Sequence, residues 1–335
     1  MHTRLHPHLP YTIGWLCALG VELAAAQAVL DEQHPDLLLA EHDSNAYVLG
    51  RIGQHNVVIA TLPIGRPGTS PAAVAATNLL RSFPNIRFGF LVEVGGGAVG
   101  QTQSDPRNDI RLGDVVVSSA LIQYDYGKLL HDGKFIQTGS LNGIPTSVGT
   151  ALAKLRANAR LRGYEFPAVV DDLGQTYSDA GFDRPDKDQL FKTSYTHNKS
   201  AADDCSMCDL DQTVSRQMRE RPNIPHVHYG TIGSANQVLR DPVTRNKLRE
   251  EENILCVEIE AAGLMHDFPC VVVRGICDYC DSHKNKDWQP CAAAVAAAYS
   301  KELIQTVTPA SLADQRPAID IMNTTKEVLE LTKTV

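Results

Sequence analysis

The chain has 335 residues, of which 43% are hydrophobic, so it is long enough to bury the core of one large domain or two small ones. Its formal net charge of -8 leaves no overall positive field, which argues against a nucleic-acid backbone as main partner and favours a small-molecule ligand. The eight cysteines fall mostly in apolar runs rather than at the spacings of a short disulfide-rich chain, so we expect reduced thiols and a cytoplasmic protein.

The apolar stretch near the N-terminus imitates a secretory signal only loosely. Glu22 interrupts it and leaves Trp15 to Val21 as the uninterrupted apolar run. A run of about seven residues is at the lower limit for a signal core and far below the ~20 needed to span a bilayer. We therefore expect neither a membrane span nor a membrane partner.

Short β-rich runs alternate with Ala-rich helical stretches along most of the chain, which is the pattern of a layered α/β domain. In chain order the predicted strands are Tyr11 to Leu16, Asn56 to Leu62, Phe88 to Val94, Asp114 to Ser118, His226 to Ile232, Cys256 to Ile259 and Cys270 to Ile276. The predicted helices are Gly20 to Glu32, Ser70 to Ser82, Val148 to Arg160, Thr244 to Glu251, Ala261 to Asp267 and Pro290 to Val307.

Two segments differ from this pattern. Residues 171–222 are rich in polar and charged residues and predict a long, partly mobile surface insertion. The tail 309–335, from Pro309 onward, contains a candidate amphipathic helix at Asn323 to Lys333. We accordingly expect a single domain over residues 1–308, followed by the tail.

Carboxylates follow two apolar, buried-looking runs. Glu258 and Glu260 end the first, and Asp278 ends the second. Burying a carboxylate costs several kcal/mol unless it is paired, so these positions are functional candidates. The alternative is that Glu258 and Glu260 only cap the helix predicted from Ala261, because the helix dipole favours acidic residues there.

These runs resemble the purine and uridine phosphorylase superfamily, which includes the methylthioadenosine and S-adenosylhomocysteine nucleosidases. The segment 257–263 is similar to the ribose-binding segment of that superfamily, with Ile259 where methionine is usual. The segment 274–278 resembles its catalytic strand, with Cys277 where serine is common. Further similar segments are 13–23, the Gly-rich loop 95–97, 109–116 and 233–237, and the closest likeness is to fungal nucleoside-phosphorylase-like domains through 278–286 and 85–89.

The resemblance implies a three-layer α/β/α fold around a mixed central sheet, a purine nucleoside or nucleotide as ligand, and a homodimer. It implies Asp278 as the general acid, Glu260 as the ribose-binding residue and Glu22 as the residue that activates water. The other implied substrate-binding residues are Glu258, Ile259, Gly95, Gly96, Asn236, Gln237, Val238 and Cys277. No cofactor is implied, and no metal is expected at the site.

The chemistry agrees with these roles, because cleaving a glycosidic C–N bond forms an oxocarbenium-like sugar and expels a poor leaving group. Asp278 would protonate the base, and the apolar strand end beside it should raise its pKa. Glu260 would bind the ribose hydroxyls and oppose the developing positive charge.

A phosphate nucleophile would need cations or free N–H groups below the sugar. Leu91 and Val94 stand where phosphorylases of this superfamily carry an arginine and a serine, and Glu93 would repel phosphate. Arg66 remains a candidate cation for a phosphate group, although such an arginine is more often solvated. We therefore predict hydrolysis, with phosphorolysis as the first alternative and a non-catalytic nucleoside-sensing module as the second.

Cys205 and Cys208 form a Cys-x-x-Cys pair with His197 upstream, which suits one edge of a structural zinc site. Without a second pair, the alternative is surface thiols that bind nothing. His283, near Asp278, is predicted to be solvated, because a lone histidine in such a polar loop usually is; the alternative is that it assists the leaving group. We find no ankyrin, TPR or NTPase segment in the sequence, which favours an independent enzyme over a signalling part.

Overall fold

The computed structural model describes residues 11–100, 109–131, 135–140, 144–197, 205–265 and 268–333. The strands are β1 (Ile13–Cys17), β2 (Glu32–His34), β3 (Tyr47–Ile52), β4 (His55–Thr61), β5 (Phe88–Gly97), β6 (Val115–Leu129), β7 (Phe135–Ser140), β8 (Val227–Ser234), β9 (Ile254–Glu258) and β10 (Cys270–Asp278). The helices are α1 (Gly20–Ala28), α2 (Thr69–Ser82), α3 (Thr146–Arg162), α4 (Phe166–Thr176), α5 (Pro242–Glu251), α6 (Gln289–Thr306), α7 (Pro309–Ala313) and α8 (Ala318–Lys333).

All the described strands belong to one mixed sheet, in the order β10-β6-β8-β9-β5-β1-β4-β3-β2, with β7 paired to β6. Strand β5 runs parallel to both β1 and β10, whereas β9 pairs with the end of β5 in the antiparallel sense. Because β10 pairs with both β5 and β6, five strands close into a ring within the sheet. The predicted α/β class with a mixed central sheet is confirmed.

Helices cover both faces of the sheet. Helix α6 is almost completely buried, and its Ala-rich sequence allows it to approach β10 so closely that a Cβ at Gly275 would lie 1.9 Å from the carbonyl oxygen of Ala292. On the opposite face, Leu79 of α2 packs against Gly14 of β1. Among the described residues, no helix combines the length and apolar character needed to cross a bilayer.

The sequence-based element boundaries need three corrections. The predicted helix from Ala261 is only a 3-10 turn at Ala261–Gly263, because Gly263 packs directly on the backbone of Thr69; residues 266–267 lie outside the described residues. Helix α1 stops at Ala28, and Glu32 begins a strand that pairs with β3. Strands β2, β3 and β7 and helices α4 and α7 were not predicted at all.

The insertion at 171–222 is less exposed than its composition predicts. It buries Phe182, Leu190 and Phe191 against the body of the protein. Its Arg219 donates two hydrogen bonds of 2.7 and 2.6 Å to the buried Asp114, at the start of β6. These charge-assisted hydrogen bonds lower the pKa of Asp114 despite its burial, and they fix the described part of the insertion to the sheet.

Candidate active site

A cavity of about 180 Å³ lies where β1, β5, β9 and β10 end. Its wall contains Glu22 from the first turn of α1, Glu260 from the segment after β9 and Asp278 from the end of β10. Strands β1, β5 and β10 are parallel, so their carboxyl ends reach the same edge of the sheet. The fold thus brings together three acidic side chains that are distant in the sequence.

Glu22 is 4% exposed and is held by backbone donors. Its Oε2 accepts hydrogen bonds from the N–H groups of Ala18 (2.8 Å) and Leu19 (2.7 Å), and its Oε1 accepts one from Val94 (2.8 Å). Burial raises the pKa of Glu22 to about 7, although these hydrogen bonds and the charge of Arg274 lower it. A carboxyl group with this pKa can accept a proton near neutral pH.

Glu260 and Glu258 lie side by side at the end of β9. Glu260 Oε1 accepts a hydrogen bond from the N–H of Gly68 (3.2 Å), and Glu258 Oε2 accepts from the N–H groups of Glu260 (3.0 Å) and Ala261 (2.9 Å). Burial and the neighbouring Glu258 raise the pKa of Glu260 to about 8, and burial raises that of Glu258 to about 7. Glu258 therefore makes the capping contacts that the alternative prediction gave it, and it also lies in the cavity wall.

Asp278 is 4% exposed and lies beside a lysine. Lys284 Nζ is 2.8 Å from its Oδ2, and the N–H of Cys280 donates to its Oδ1 at 2.9 Å. Burial favours a lower pKa for Lys284, but the charge of Asp278 outweighs it and raises that pKa. Gly96 is required here, because a Cβ at this position would lie 2.9 Å from Asp278 Oδ1.

Arg274 lies in the middle of β10 and is completely buried. Its guanidinium donates to Glu93 through one terminal nitrogen and to Glu258 through the other. Glu93 therefore belongs to an internal ion pair as well as to the cavity wall. One oxygen of Glu93 and one of Glu258 remain buried without a hydrogen-bond partner in the described part of the chain.

Most of the predicted substrate-binding positions line the cavity, and two do not. Those in its wall are Gly95, Gly96, Gln237, Val238, Glu258, Ile259 and Cys277. Asn236 and Arg66 are exposed and lie outside the wall. Asn236 instead accepts a hydrogen bond from Thr69 Oγ1 (3.4 Å), and its backbone N–H donates to Asp125 (2.7 Å).

Sequence reasoning missed Lys284 and Arg274 as site residues. A single arginine inside the apolar run of β10 is a signal for a buried ion pair, since such a charge needs a partner. Lys284 carries no such signal, because its polar loop is typical of solvated segments. His283 was predicted to be solvated, but it is 8% exposed and stacks on Phe191 with ring centroids 4.0 Å apart.

Comparisons with known proteins identify the family of this chain. A profile of the phosphorylase superfamily matches residues 12–306. A nucleotide-binding leucine-rich repeat (NLR)-like protein of Hyaloscypha variabilis is 45% identical over 315 residues, which are 91% of this chain. The chain spans only 30% of the length of that relative.

Nucleosidases are also similar to the chain. The 5'-methylthioadenosine/S-adenosylhomocysteine nucleosidase of Mycobacterium bovis is 24% identical over 305 residues, covering 88% of this chain and 96% of that protein. The structure of the 5'-methylthioadenosine/S-adenosyl homocysteine nucleosidase of Helicobacter pylori, in complex with a pyrrolopyrimidine compound, superposes with a TM-score of 0.54 at 15% identity. That superposition covers 88% of this chain and 98% of the other. At this identity, the structural match shows a shared fold.

Proposed function

The chain belongs to the phosphorylase superfamily, and from that premise we propose that it hydrolyses the N-glycosidic bond of a purine nucleoside or nucleotide. The products would be the free base and the ribose portion. The similarity to a methylthioadenosine/S-adenosylhomocysteine nucleosidase supports a nucleosidase activity. The arrangement of charges in the cavity supports the use of water.

In this proposal, Asp278 delivers a proton to the purine so that the base leaves as a neutral species. Lys284, with Nζ 2.8 Å from the Asp278 carboxylate, carries an exchangeable proton beside this acid. The ammonium group of Lys284 therefore passes a proton to the Asp278 carboxylate, which then acts as the acid at the cavity wall. Cleavage moves that proton to the base while the C–N bond breaks.

Glu260 binds the ribose hydroxyls, and its ionised form opposes the positive charge that develops on the sugar. Glu22 removes a proton from the attacking water, because its pKa of about 7 suits a base at neutral pH. Each group thus matches one requirement of hydrolysis.

One observation carries the choice of hydrolysis over phosphorolysis. Five carboxyl groups line the cavity, those of Glu22, Glu93, Glu258, Glu260 and Asp278. In the part of the chain that the structure describes, Lys284 is the single cation in the wall, and Asp278 already pairs with it. A phosphate ion needs unpaired cations or free N–H groups, so water is the better nucleophile for this site.

A chromatographic assay of adenosine, inosine, guanosine, ATP and methylthioadenosine, with and without phosphate, tests the proposal. We expect free base without added phosphate from at least one of these substrates. We expect Asp278→Asn to lower kcat by about 100-fold or more, since general acid catalysis contributes about 10²–10⁴.

The matched control is Asp281→Asn, which changes a buried aspartate of the same loop outside the cavity wall. It should keep turnover close to that of the unmodified chain. Ribose 1-phosphate as the product, formed only with phosphate, would establish a phosphorylase instead. If Asp278→Asn is as active as the unmodified chain, Asp278 is not the general acid.

A second candidate function has one observation in its favour. The NLR-like relative matches this chain at 45% identity over 30% of its own length. In a multidomain relative, a domain of this kind can sense a nucleoside or nucleotide by binding alone. Tight binding of one of the five compounds, without base release, would support this candidate over the nucleosidase.

A further inference from the structure

Three potential metal ligands of the insertion, His197, Cys205 and Cys208, lie close together. His197 Nδ1 is 3.2 Å from Cys208 Sγ and 3.7 Å from Cys205 Sγ, and all three donor atoms lie within 4.8 Å of one another. Both cysteines are buried, at 8% and 9% exposure. This differs from the sequence alternative of surface thiols that bind nothing.

The distances match those of a tetrahedral zinc centre. Zn–N bonds of about 2.0–2.1 Å and Zn–S bonds of about 2.3 Å place nitrogen and sulfur ligands about 3.6 Å apart. The two observed N···S distances, 3.2 and 3.7 Å, lie on either side of this value. Thiolate and imidazole donors together select zinc over calcium or magnesium.

The local backbone holds the two thiols on one side of a tight turn. The N–H of Cys208 donates to the carbonyl oxygen of Cys205 at 3.0 Å, which closes the turn between them. Cys205 has a φ of 60°, a left-handed conformation that is uncommon for a residue other than glycine. Such strain persists where the surrounding structure requires it, and functional sites are where it clusters.

We propose that His197 Nδ1 and the Sγ atoms of Cys205 and Cys208 bind one zinc ion. Binding releases the two thiol protons to water and leaves both sulfurs as thiolates. The fourth coordination position is filled by water or by one further donor. This site is separate from the glycosidic chemistry, because none of the three ligands lines the active-site cavity.

The zinc ion would fasten the insertion to the loop that follows Asp278. The backbone N–H of His197 donates to Ser282 Oγ at 2.9 Å, and the ring of His283 stacks on Phe191 of the insertion. Ser282 and His283 immediately precede Lys284, which pairs with the general acid. Metal bound to His197 therefore stabilises the segment that positions this lysine.

Zinc content, measured by elemental mass spectrometry, tests the proposal. The purified chain, loaded with Zn²⁺ and freed of excess metal by gel filtration, should hold about one zinc ion per chain. The double variant Cys205→Ser, Cys208→Ser should hold at least tenfold less. The control Cys291→Ala, which changes a buried cysteine of α6, should retain the zinc.

Cobalt loading of the unmodified chain keeps the test decisive if the double variant does not fold. Thiolate-to-cobalt charge-transfer absorption, lost on adding a chelator, would support the proposal. Failure of the unmodified chain to retain zinc or cobalt would overturn it. A disulfide between Cys205 and Cys208 in place of bound metal, detected as a loss of two hydrogens in the intact mass, would overturn it as well. None of these measurements depends on nucleosidase activity.

Discussion

Glu22 accepts hydrogen bonds from three backbone N–H groups, one of them 72 residues away in the chain. These donors hold the carboxyl group in one position before any substrate binds. Burial opposes them and raises the pKa to about 7. The same residue is thus both positioned and poised for proton transfer near neutral pH.

The proposed role of Glu22 gives a pH prediction. A base acts in its ionised form, so kcat/KM should rise with pH through about 7, the pKa of Glu22. Glu22→Gln should lower kcat by about 100-fold and abolish this rise. Steady-state assays from acidic to mildly alkaline pH measure both effects.

Glu302→Gln is the matched control for this experiment. Glu302 also accepts two backbone hydrogen bonds, from Glu165 (3.1 Å) and Phe166 (2.8 Å), but it lies outside the cavity wall. Its replacement should leave the pH profile unchanged. A Glu22→Gln variant with the full activity and the original profile would contradict the role of Glu22 as base.

Strand β10 is apolar except for Arg274 and the closing Asp278. Arg274 joins Glu93 of β5 to Glu258 of β9 by buried ion pairs, so three strands meet at one guanidinium. Removing one partner of a buried ion pair leaves an uncompensated charge, and this costs more than the pair itself contributes. The arginine therefore stabilises the part of the sheet that carries the cavity.

We expect Arg274→Met to lower the free energy of unfolding by about 3–5 kcal/mol, because Glu93 and Glu258 lose their cation. Urea denaturation at neutral pH measures this change. Arg51→Met is the control, since Arg51 pairs with Glu32 in an exposed ion pair worth at most about 1 kcal/mol. If the two substitutions lower the free energy of unfolding equally, the buried ion pairs of Arg274 stabilise the fold no more than the exposed pair does.

The stability of the whole molecule depends on the cavity, because burial raises the pKa values of three glutamates in its wall. The values are about 7 for Glu22, about 7 for Glu258 and about 8 for Glu260. An unfolded glutamate has a pKa of about 4.3. At a pH between this value and the folded pKa values of about 7 to 8, the folded chain binds more protons than the unfolded chain. Stability must therefore fall as pH rises through this range.

The free energy of unfolding should decrease between pH 6.5 and 8, by up to about 1.4 kcal/mol per pH unit for each carboxyl still protonated. The histidines with lowered pKa values, His55 and His226, act mainly below this window. Urea denaturation at constant ionic strength measures the slope. Glu260→Gln removes one of the protons and should flatten it, whereas a stability that rises over this range would refute the prediction.

Much of the fold was predictable, because its signals are local. Each of the seven predicted strands overlaps a strand of the structure, and the Ala-rich pattern after Trp288 predicted helix α6. Some of the segments missed depend on distant partners, although β3 was also missed and pairs with its chain neighbour β4. Strand β2 forms by pairing with β3, and the helix predicted from Ala261 shortens because Gly263 packs on Thr69.

The sequence by itself determined the class of fold, the family and the chain positions of the acidic residues, since these follow from periodicity and from short motifs. Only the tertiary structure decided that Arg274 lies between Glu93 and Glu258, that Lys284 pairs with Asp278, and that His197 approaches two thiols. Burial and ion pairing join residues that the chain separates. Their energies depend on strand register and on the surrounding low-dielectric core, which no local pattern records.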